Sequence, residues 1–453
     1  MSGILCAVST YAAPCVTLGL EEEVFITAPT RPTLDALYAL AKLLWRNPRD
    51  YYKHTASNFA RGRDARQCLM SSVEITTRPH TDIDALLEEL RIHRAALADA
   101  AGDAYILPVG HLFDLDAPTN TAGLHIHVGA PHERRQTVYA NLAHFLPLLI
   151  LLSASSPYAG GRYFGQSYRV ASSFAIGALR DDPYYRFQDL ILSRRLGTIE
   201  IRACDPIWDL ARLRVLLEAV QAIAQLPTAR SIDRARYAAL RHQAACVGYT
   251  PDLQALHREL SAVYEIPEAL LQETVSDRLR ACMQAVQQAL TRFPLPAGGT
   301  EGAGFPPLRE GNLKEGDALT PTAEPKFAKN GKRSESPHSH TLSPLDKGGE
   351  GRGEGGFHTC ASTNAGHAIG INPLLRIYAQ LNHAYRTGRW EPVAPHAVRP
   401  SAWRGVLGLL GYYLPRLPYT AYKAWAEWRA PVREDYLLTE TVAGDPTVCR
   451  ADS

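Results

Sequence analysis

The segment Thr17–Ile26 constrains the fold more than any other stretch, because charged and apolar side chains alternate along it. Side chains on a β-strand point to opposite faces with a period of two. One face is apolar apart from one acid and consists of Leu18, Leu20, Glu22, Val24 and Ile26, whereas the other consists of Gly19, Glu21, Glu23 and Phe25. Two carboxylates on one face repel each other unless a cation lies between them, and hard divalent cations prefer such oxygens. The alternative interpretation is a solvated edge strand with three glutamates.

Three further segments combine an apolar face with chemically active side chains on the other face. They are Ser71–Thr77 with Glu74, Leu124–Val128 with His125 and His127, and Thr198–Ala203 with Glu200 and Arg202. If the four segments pair in one antiparallel sheet, their polar faces form a single surface over an apolar back. Any one strand of this kind also fits a structural histidine pair or a surface charge ladder, but the recurrence favours a functional site.

The combined surface would carry carboxylates, imidazoles and one guanidinium. This donor set favours Mg²⁺ or Mn²⁺ over zinc, because it contains no thiolate. Arg202 would neutralise a phosphate or a substrate carboxylate through paired hydrogen bonds. The sequence contains no P-loop, no dinucleotide-binding glycine motif and no nucleophile elbow. A nucleotide would therefore be held by metal ions and arginines on the sheet.

Apolar residues at helical spacing predict the helices that cover this sheet. The predicted helices are Thr33–Trp45, one capped by Asp82, Thr137–Leu152, one capped by Asp209, and Pro373–Tyr385. Runs of strands and helices of this kind indicate an α+β fold, with an antiparallel sheet covered by helices.

The composition changes sharply along the C-terminal half. Residues 296–357 are dominated by Gly, Pro, Ser, Lys and Glu, and such a segment cannot bury enough surface to offset its ordering entropy. The sequence therefore predicts a catalytic domain over residues 16–295, a disordered insertion over 296–357, and a helical C-terminal segment over 358–453 that completes or extends the domain.

Charge and cysteine usage limit the possible partners and compartment. The chain has 453 residues, 46% of them hydrophobic, and a net charge of only +2, so nothing favours general nucleic-acid binding. The eight cysteines are dispersed without a C-x-x-C pair, which suits a reducing cytoplasm. The apolar run Phe145–Leu152 is short and contains Pro147, so we expect no membrane partner. A homo-oligomer is compatible with the sequence.

Five short motifs occur in a fixed order along the chain. They are Gly19–Glu23, Ser72–Thr77, Gly123–Gly129, Leu152–Pro157 and Thr198–Asp205. Together they resemble the glutamate–cysteine ligase family 2, the carboxylate–amine ligases, over about residues 16–290. The resemblance implies a fold similar to that of glutamine synthetase, in which an antiparallel sheet forms a saddle-shaped active site.

The resemblance also implies roles for single residues, with ATP and Mg²⁺ (or Mn²⁺) as cofactors. The positions that match metal-binding residues are Glu21, Glu23, Glu74, His125 and Glu200. Arg202 matches a catalytic position near the nucleotide phosphates, and Arg169 looks like a catalytic, substrate-binding arginine. His127 is expected beside the substrate or cofactor rather than on the metal.

Two positions depart from the family pattern. Gln67 stands where an acid is usual, and Ser193–Leu196 replaces a usual Trp-x-Arg sequence. The first departure leaves the number of metal ions open, and the second leaves the pocket for the amine substrate open.

The resemblance implies a ligase that joins the γ-carboxylate of glutamate to the amine of cysteine through an acyl phosphate. Its substrates would be amino acids, and it would act in the cytoplasm. Two alternatives remain: a metal-dependent hydrolase that uses the histidines and glutamates, and a non-catalytic homologue that binds a nucleotide or an amino acid.

Overall fold

A computed structural model describes residues 16–30, 35–46, 72–116, 118, 120–193, 196–292, 371–399 and 402–418. These residues all belong to one structural unit. The predicted disordered insertion at 296–357 lies outside the described residues, and so does Gln67.

Eight strands lie among the described residues. They are β1 Thr17–Thr27, β2 Ser72–Thr76, β3 Tyr105–Leu107, β4 Leu124–Gly129, β5 Tyr158–Ala159, β6 Arg162–Tyr163, β7 Leu190–Leu192 and β8 Ile199–Cys204. Six of them form an antiparallel sheet in the order β2–β1–β4–β8–β7, with β3 paired to the end of β1. The four strands with alternating side chains are thus adjacent, which confirms the predicted antiparallel sheet. The other two strands, β5 and β6, pair as a small antiparallel hairpin.

Helices are interspersed with the strands along the chain. They are α1 Asp35–Arg46, α2 Ile83–Ala101, α3 Arg135–Ser153, α4 Tyr168–Ser172, α5 Leu210–Gln225, α6 Arg234–His242, α7 Pro251–Ser261, α8 Glu268–Gln272, α9 Val275–Arg292, α10 Ile371–Thr387 and α11 Ala402–Tyr413. A π-helical turn at Gln243–Val247 follows α6. The α+β class predicted from the sequence is confirmed.

The helices begin where side-chain caps place them, and they cover the apolar face of the sheet. The Asp82 carboxylate accepts the backbone N–H groups of Asp84 and Ala85, and Asp209 caps α5 in the same way. Helix α2 packs on β1, α3 packs on β8, and α10 packs on β3. The apolar side chains of β1 (Leu18, Leu20, Val24 and Ile26) are all buried in this core.

Helix α3 corrects one expectation from the sequence. With the 3₁₀ turn before it, the helical stretch His132–Ser153 has 22 residues and is long and apolar enough to cross a membrane. The expectation that its apolar run is too short was therefore wrong about length, and Pro147 is accommodated within the helix. Because 78% of the most apolar window is buried inside the protein, α3 has the burial expected of a core helix.

One acid of β1 lies on the apolar face and is paired there. Glu22 is completely buried, and its Oε2 accepts hydrogen bonds from Arg94 Nε at 3.0 Å and from the Tyr385 hydroxyl at 3.1 Å. Arg94 also donates to the backbone carbonyls of Ile207 and Trp208. The pair therefore ties β1, α2, α10 and the loop before α5 together.

Removing Arg94 should destabilise the protein strongly. We expect Arg94→Met to lower the free energy of unfolding by about 3–5 kcal/mol, because the Glu22 carboxylate is left buried without its counter-charge. Urea denaturation followed by circular dichroism measures the change.

The matched control is Arg91→Met on the same helix, because the Arg91 pair with Glu88 is exposed and contributes little. If Arg94→Met costs no more than this control, the buried pair does not hold these elements together.

Candidate active site

The pairing of β1 with its neighbours brings the predicted site residues opposite one another. In the registers of the sheet, Glu23 lies opposite Glu74 of β2, and Glu21 lies opposite His125 of β4. His127 in turn lies opposite Glu200 of β8. The β4–β8 register shifts between Leu124 and Ile126, a bulge of the kind that redirects side chains beside functional sites. The polar face of the sheet is thus built from four separate chain segments.

Three of these side chains form a candidate metal centre. One ligand atom from each of Glu21, His125 and Glu200 lies within 4.8 Å of the other two. His125 Nδ1 is 3.3 Å from Glu21 Oε2 and 3.8 Å from Glu200 Oε1. Ligands about 2.1 Å from an octahedral ion stand about 3 Å apart when adjacent and about 4.2 Å apart when opposite. Two carboxylates and an imidazole at these separations fit Mg²⁺ or Mn²⁺.

His127 contacts the carboxylate oxygen of Glu21 that His125 does not contact. Its Nε2 lies 3.3 Å from Glu21 Oε1, and its Nδ1 lies 3.2 Å from Thr198 Oγ1. Burial acts to raise the pKa of Glu21, but the neighbouring imidazoles of His125 and His127 outweigh it and hold that pKa well below its ordinary value. Burial acts to lower the pKa of His127, but Glu21 raises it above the ordinary value. Glu21 is therefore an anion, and His127 orients it rather than sharing the three-ligand centre.

Glu23 and Glu74 lie on the same face but outside the three-residue cluster found among the described residues. Glu23 Oε2 accepts the backbone N–H of Gly123 at 2.7 Å, which turns this carboxylate toward the start of β4. Glu74 faces Glu23 across the β1–β2 pair. Their predicted role as metal ligands stays a prediction.

Arg202 lies directly beside the candidate metal centre. Its Nη1 donates to Glu200 Oε1 at 2.8 Å, and its backbone N–H donates to the carbonyl of Asp189. The Nε–H of Arg202 is buried and has no hydrogen-bond partner among the described residues. A buried guanidinium donor without a partner is well suited to bind a phosphate or carboxylate oxygen.

Arg169 is bound to the end of β8. Its side chain is almost completely buried, and it donates to the backbone carbonyls of Cys204 at 3.1 Å and Arg202 at 2.8 Å. Burial lowers the pKa of Arg169, while the nearby carboxylates of Asp205 and Glu23 oppose this shift. These contacts show Arg169 positioning the strand that carries Arg202. Its predicted contact with a substrate stays a prediction.

A buried polar network supports Arg169 from behind, and no role was predicted for its members. Asp205 Oδ2 accepts the backbone N–H of Ser155 at 3.0 Å and the Ser156 hydroxyl at 2.7 Å, while Asp205 Oδ1 lies 3.8 Å from Arg169 Nη1. Burial raises the pKa of Asp205, although Arg169 and these hydrogen bonds counteract it. The network joins the end of α3 to the end of β8. Its only signal in the sequence was that Ser155, Ser156 and Asp205 lie within the quoted motifs.

Gly123 leaves the space in which Arg169 approaches the metal centre. A Cβ atom at this position would lie 2.2 Å from Arg169 Nη2 and 3.1 Å from His125 Nε2. Any larger side chain therefore displaces a guanidinium that is fixed by two backbone carbonyls.

Comparison of sequences relates the chain to proteins described as putative glutamate–cysteine ligase 2. A Bradyrhizobium homologue is 29% identical over 184 residues, which cover 34% of this chain and 42% of the homologue. A Ruegeria pomeroyi homologue is 28% identical over 181 residues, which cover 34% of this chain and 44% of the homologue. A Laribacter hongkongensis homologue is 30% identical over 205 residues, which cover 34% of this chain and 54% of the homologue. The matched region thus spans about half of each relative or less. These matches confirm a distant relationship to the family that the motifs resemble.

No family model matches the chain. Solved structures give matches with low TM-scores. The glutamate–cysteine ligase of Francisella tularensis in complex with AMP has a TM-score of 0.38 at 13% identity, covering 63% of this chain and 90% of that one. A complex between the prokaryotic ubiquitin-like protein Pup and its ligase has a TM-score of 0.37 at 13% identity, covering 62% and 70%. We draw no functional conclusion from similarities at this level, and the predicted likeness to glutamine synthetase stays a prediction.

The three-ligand centre predicts a divalent-metal site that depends on Glu21. We expect Glu21→Gln to weaken Mn²⁺ binding by at least about tenfold, because it removes one anionic ligand and leaves the shape of the side chain unchanged. Electron paramagnetic resonance of free Mn²⁺ measures the affinity. The isosteric control, Glu88→Gln on the exposed face of α2, should bind as the wild type does. Equal affinity in both variants would contradict the site.

The tight fit at Gly123 gives a second prediction. We expect Gly123→Ala to weaken Mn²⁺ binding by about tenfold, because the new methyl group displaces Arg169 and crowds His125. The control is Gly19→Ala on β1, where a Cβ atom would meet its nearest neighbour, the Arg78 carbonyl oxygen, at an ordinary 3.7 Å. A Gly123→Ala protein that binds Mn²⁺ as tightly as the Gly19→Ala protein would show that this close approach is unimportant.

Proposed function

We propose that this chain is an ATP- and Mg²⁺-dependent carboxylate–amine ligase of the glutamate–cysteine ligase type. The observation that carries the proposal is the arrangement of Glu21, His125 and Glu200 around a common point with Arg202 bound to Glu200. An anionic metal centre beside a guanidinium is what the transfer of a phosphoryl group requires. The distant relationship to putative glutamate–cysteine ligases supports the same reaction class.

In this proposal, each residue of the site has its own role. Glu21, His125 and Glu200 would hold Mg²⁺, which when bound offsets the negative charge of a triphosphate. Arg202 would donate its unpartnered Nε–H to a phosphate oxygen. His127 keeps Glu21 ionised and oriented, and Arg169 fixes the backbone at Arg202. Catalysis then rests on positioning and charge.

The proposed reaction needs no nucleophilic side chain. A carboxylate oxygen of glutamate forms a bond to the γ-phosphorus of ATP as the bond to the leaving oxygen breaks, and ADP departs. The cysteine amine then attacks the acyl carbon, the C–O bond to phosphate breaks, and the amine loses a proton as the amide forms. Burial raises the pKa of the Cys204 thiol to about 12, so this residue near the site is not a candidate nucleophile.

The substrates and the compartment are part of the proposal. Glutamate and cysteine are named by the relatives, whose matched region covers about a third of this chain. The proposed compartment is the cytoplasm and rests on the ATP requirement alone, because Cys246 is disulfide-bonded and the cysteines therefore do not support a reducing compartment.

The proposal predicts how turnover depends on substrates. ADP release, measured with a coupled enzyme assay and Mg²⁺, should require both ATP and glutamate and should rise when cysteine is added. A product of glutamate plus cysteine less one water should be visible by mass spectrometry. We expect Arg202→Met to reduce kcat/KM for ATP by about 100-fold or more, because it removes donors aimed at developing charge.

Three outcomes would contradict the proposal. Turnover of an ester or amide without ATP would favour the metal-dependent hydrolase. ATP binding without product, with any amino acid as acceptor, would favour a non-catalytic homologue. Equal kcat/KM values for Arg202→Met and for the exposed-residue control Arg91→Met would show that Arg202 has no role in the reaction.

A further inference from the structure

Helix α11 packs against α1 through glycines, while several of its apolar side chains are exposed. Two of its glycines, Gly405 and Gly408, are buried. A Cβ atom at Gly408 would lie 2.4 Å from the backbone nitrogen of Tyr38, and one at Gly411 would lie 2.8 Å from Ala41 Cβ. The two helices thus approach each other closely at these glycines.

Several large apolar residues of this segment are exposed to solvent. We call them, together with Trp45 at the end of α1, the α11 apolar face; its members are Trp45, Trp403, Val406, Leu407, Leu410, Leu414 and Leu417. Trp45 is 90% exposed, Trp403 is 77% exposed, and Leu407 is 54% exposed. Within α11 and the turn after it, Trp403, Leu407, Leu410, Leu414 and Leu417 follow one another at intervals of four and three, which is one stripe of a helix. A contiguous exposed stripe of this kind indicates an interaction surface.

The charges around the face indicate which surface it meets. The described residues 392–399 and 402–418 contain three basic side chains (Arg399, Arg404 and Arg416) and no acid. The acids that border the face are paired: Asp99 with Arg46, and Asp103 with Arg404 at 3.5 Å. The apolar stripe therefore lies in a segment whose own charges are all positive.

An anionic bilayer matches these features better than a second copy of the chain does. Large aliphatic and tryptophan side chains enter the boundary between headgroups and acyl chains, and arginine and lysine beside them attract acidic headgroups. In a symmetric dimer built on the same face, each basic segment would meet another basic segment. We propose that the α11 apolar face is a peripheral membrane-binding surface that takes an anionic phospholipid bilayer.

The proposal concerns the surface of the bilayer and not a span across it. Among the described residues, α3 is the helix that is long and apolar enough to cross, and it is mostly buried inside the protein. The sequence led us to expect no membrane partner, and the orientation of α11 is the reason for proposing one. The catalytic proposal does not depend on this contact.

Vesicle flotation with the full chain tests the proposal. The protein is mixed with vesicles of phosphatidylcholine alone or with about 30% phosphatidylserine, a content that gives an anionic surface. We expect the wild type to float with the anionic vesicles. The double variant Leu407→Asp with Leu410→Asp should bind at least about tenfold more weakly, because two exposed apolar side chains that would enter the bilayer become charged. The control Val247→Asp, a change at an exposed apolar residue outside α1 and α11, should bind as the wild type does.

Several results would overturn the proposal. Wild-type protein that stays with the unbound fraction would do so, and so would flotation that is equal for neutral and anionic vesicles or unchanged in the double variant. Sedimentation that shows a wild-type dimer and a monomeric double variant, with no vesicle binding, would assign the face to a second copy. Circular dichroism and ADP release of the double variant should match the wild type, so that a folding defect or a failure of the catalytic proposal is told apart.

Discussion

The site and the core both depend on which side chains of β1 point to which face of the sheet. Glu21 and Glu23 face the site, whereas Glu22 faces the core, so a shift of one residue in strand register would exchange these environments. The buried bond between Glu22 and Arg94 opposes such a shift, because a displaced Glu22 would leave the Arg94 guanidinium unpaired. The backbone N–H of Gly123 fixes Glu23 from the other face. One core contact and one site contact therefore fix the same strand.

Charge balance explains how several acids can be held together. Glu21 is compensated by two histidines, Glu200 by Arg202, and Glu23 by a backbone N–H. Each compensating group is held in turn by a different segment, such as Thr198 for His127 and Asp189 for the Arg202 backbone. Such a site is preorganised, since little rearrangement of the chain is needed when a cation or an anionic substrate enters.

The sequence predicted the parts of this structure that depend on local pattern. Period-two alternation placed Glu21, His125 and Glu200 on one sheet face, and helical spacing with Asp82 and Asp209 caps placed the covering helices. The partner of Glu22 was not predictable, because Arg94 is 72 residues away and reads as an ordinary charged helix residue. The same holds for Gly123, which must be a glycine because Arg169 of α4, 46 residues further along the chain, lies against it. Long-range contacts of this kind leave no periodic signal.

Helix α10 is part of the core that supports the site. Its Asn382 accepts the backbone N–H of Ile106 in β3, its Tyr378 hydroxyl accepts the N–H of Phe113, and its Tyr385 hydroxyl donates to Glu22. Through Glu22, the position of α10 is coupled to the strand that carries Glu21. Helix α11 follows α10 and contacts α1, which in turn packs on β1 and β2. The surface proposed to meet a membrane is therefore connected to the candidate metal centre through packed elements.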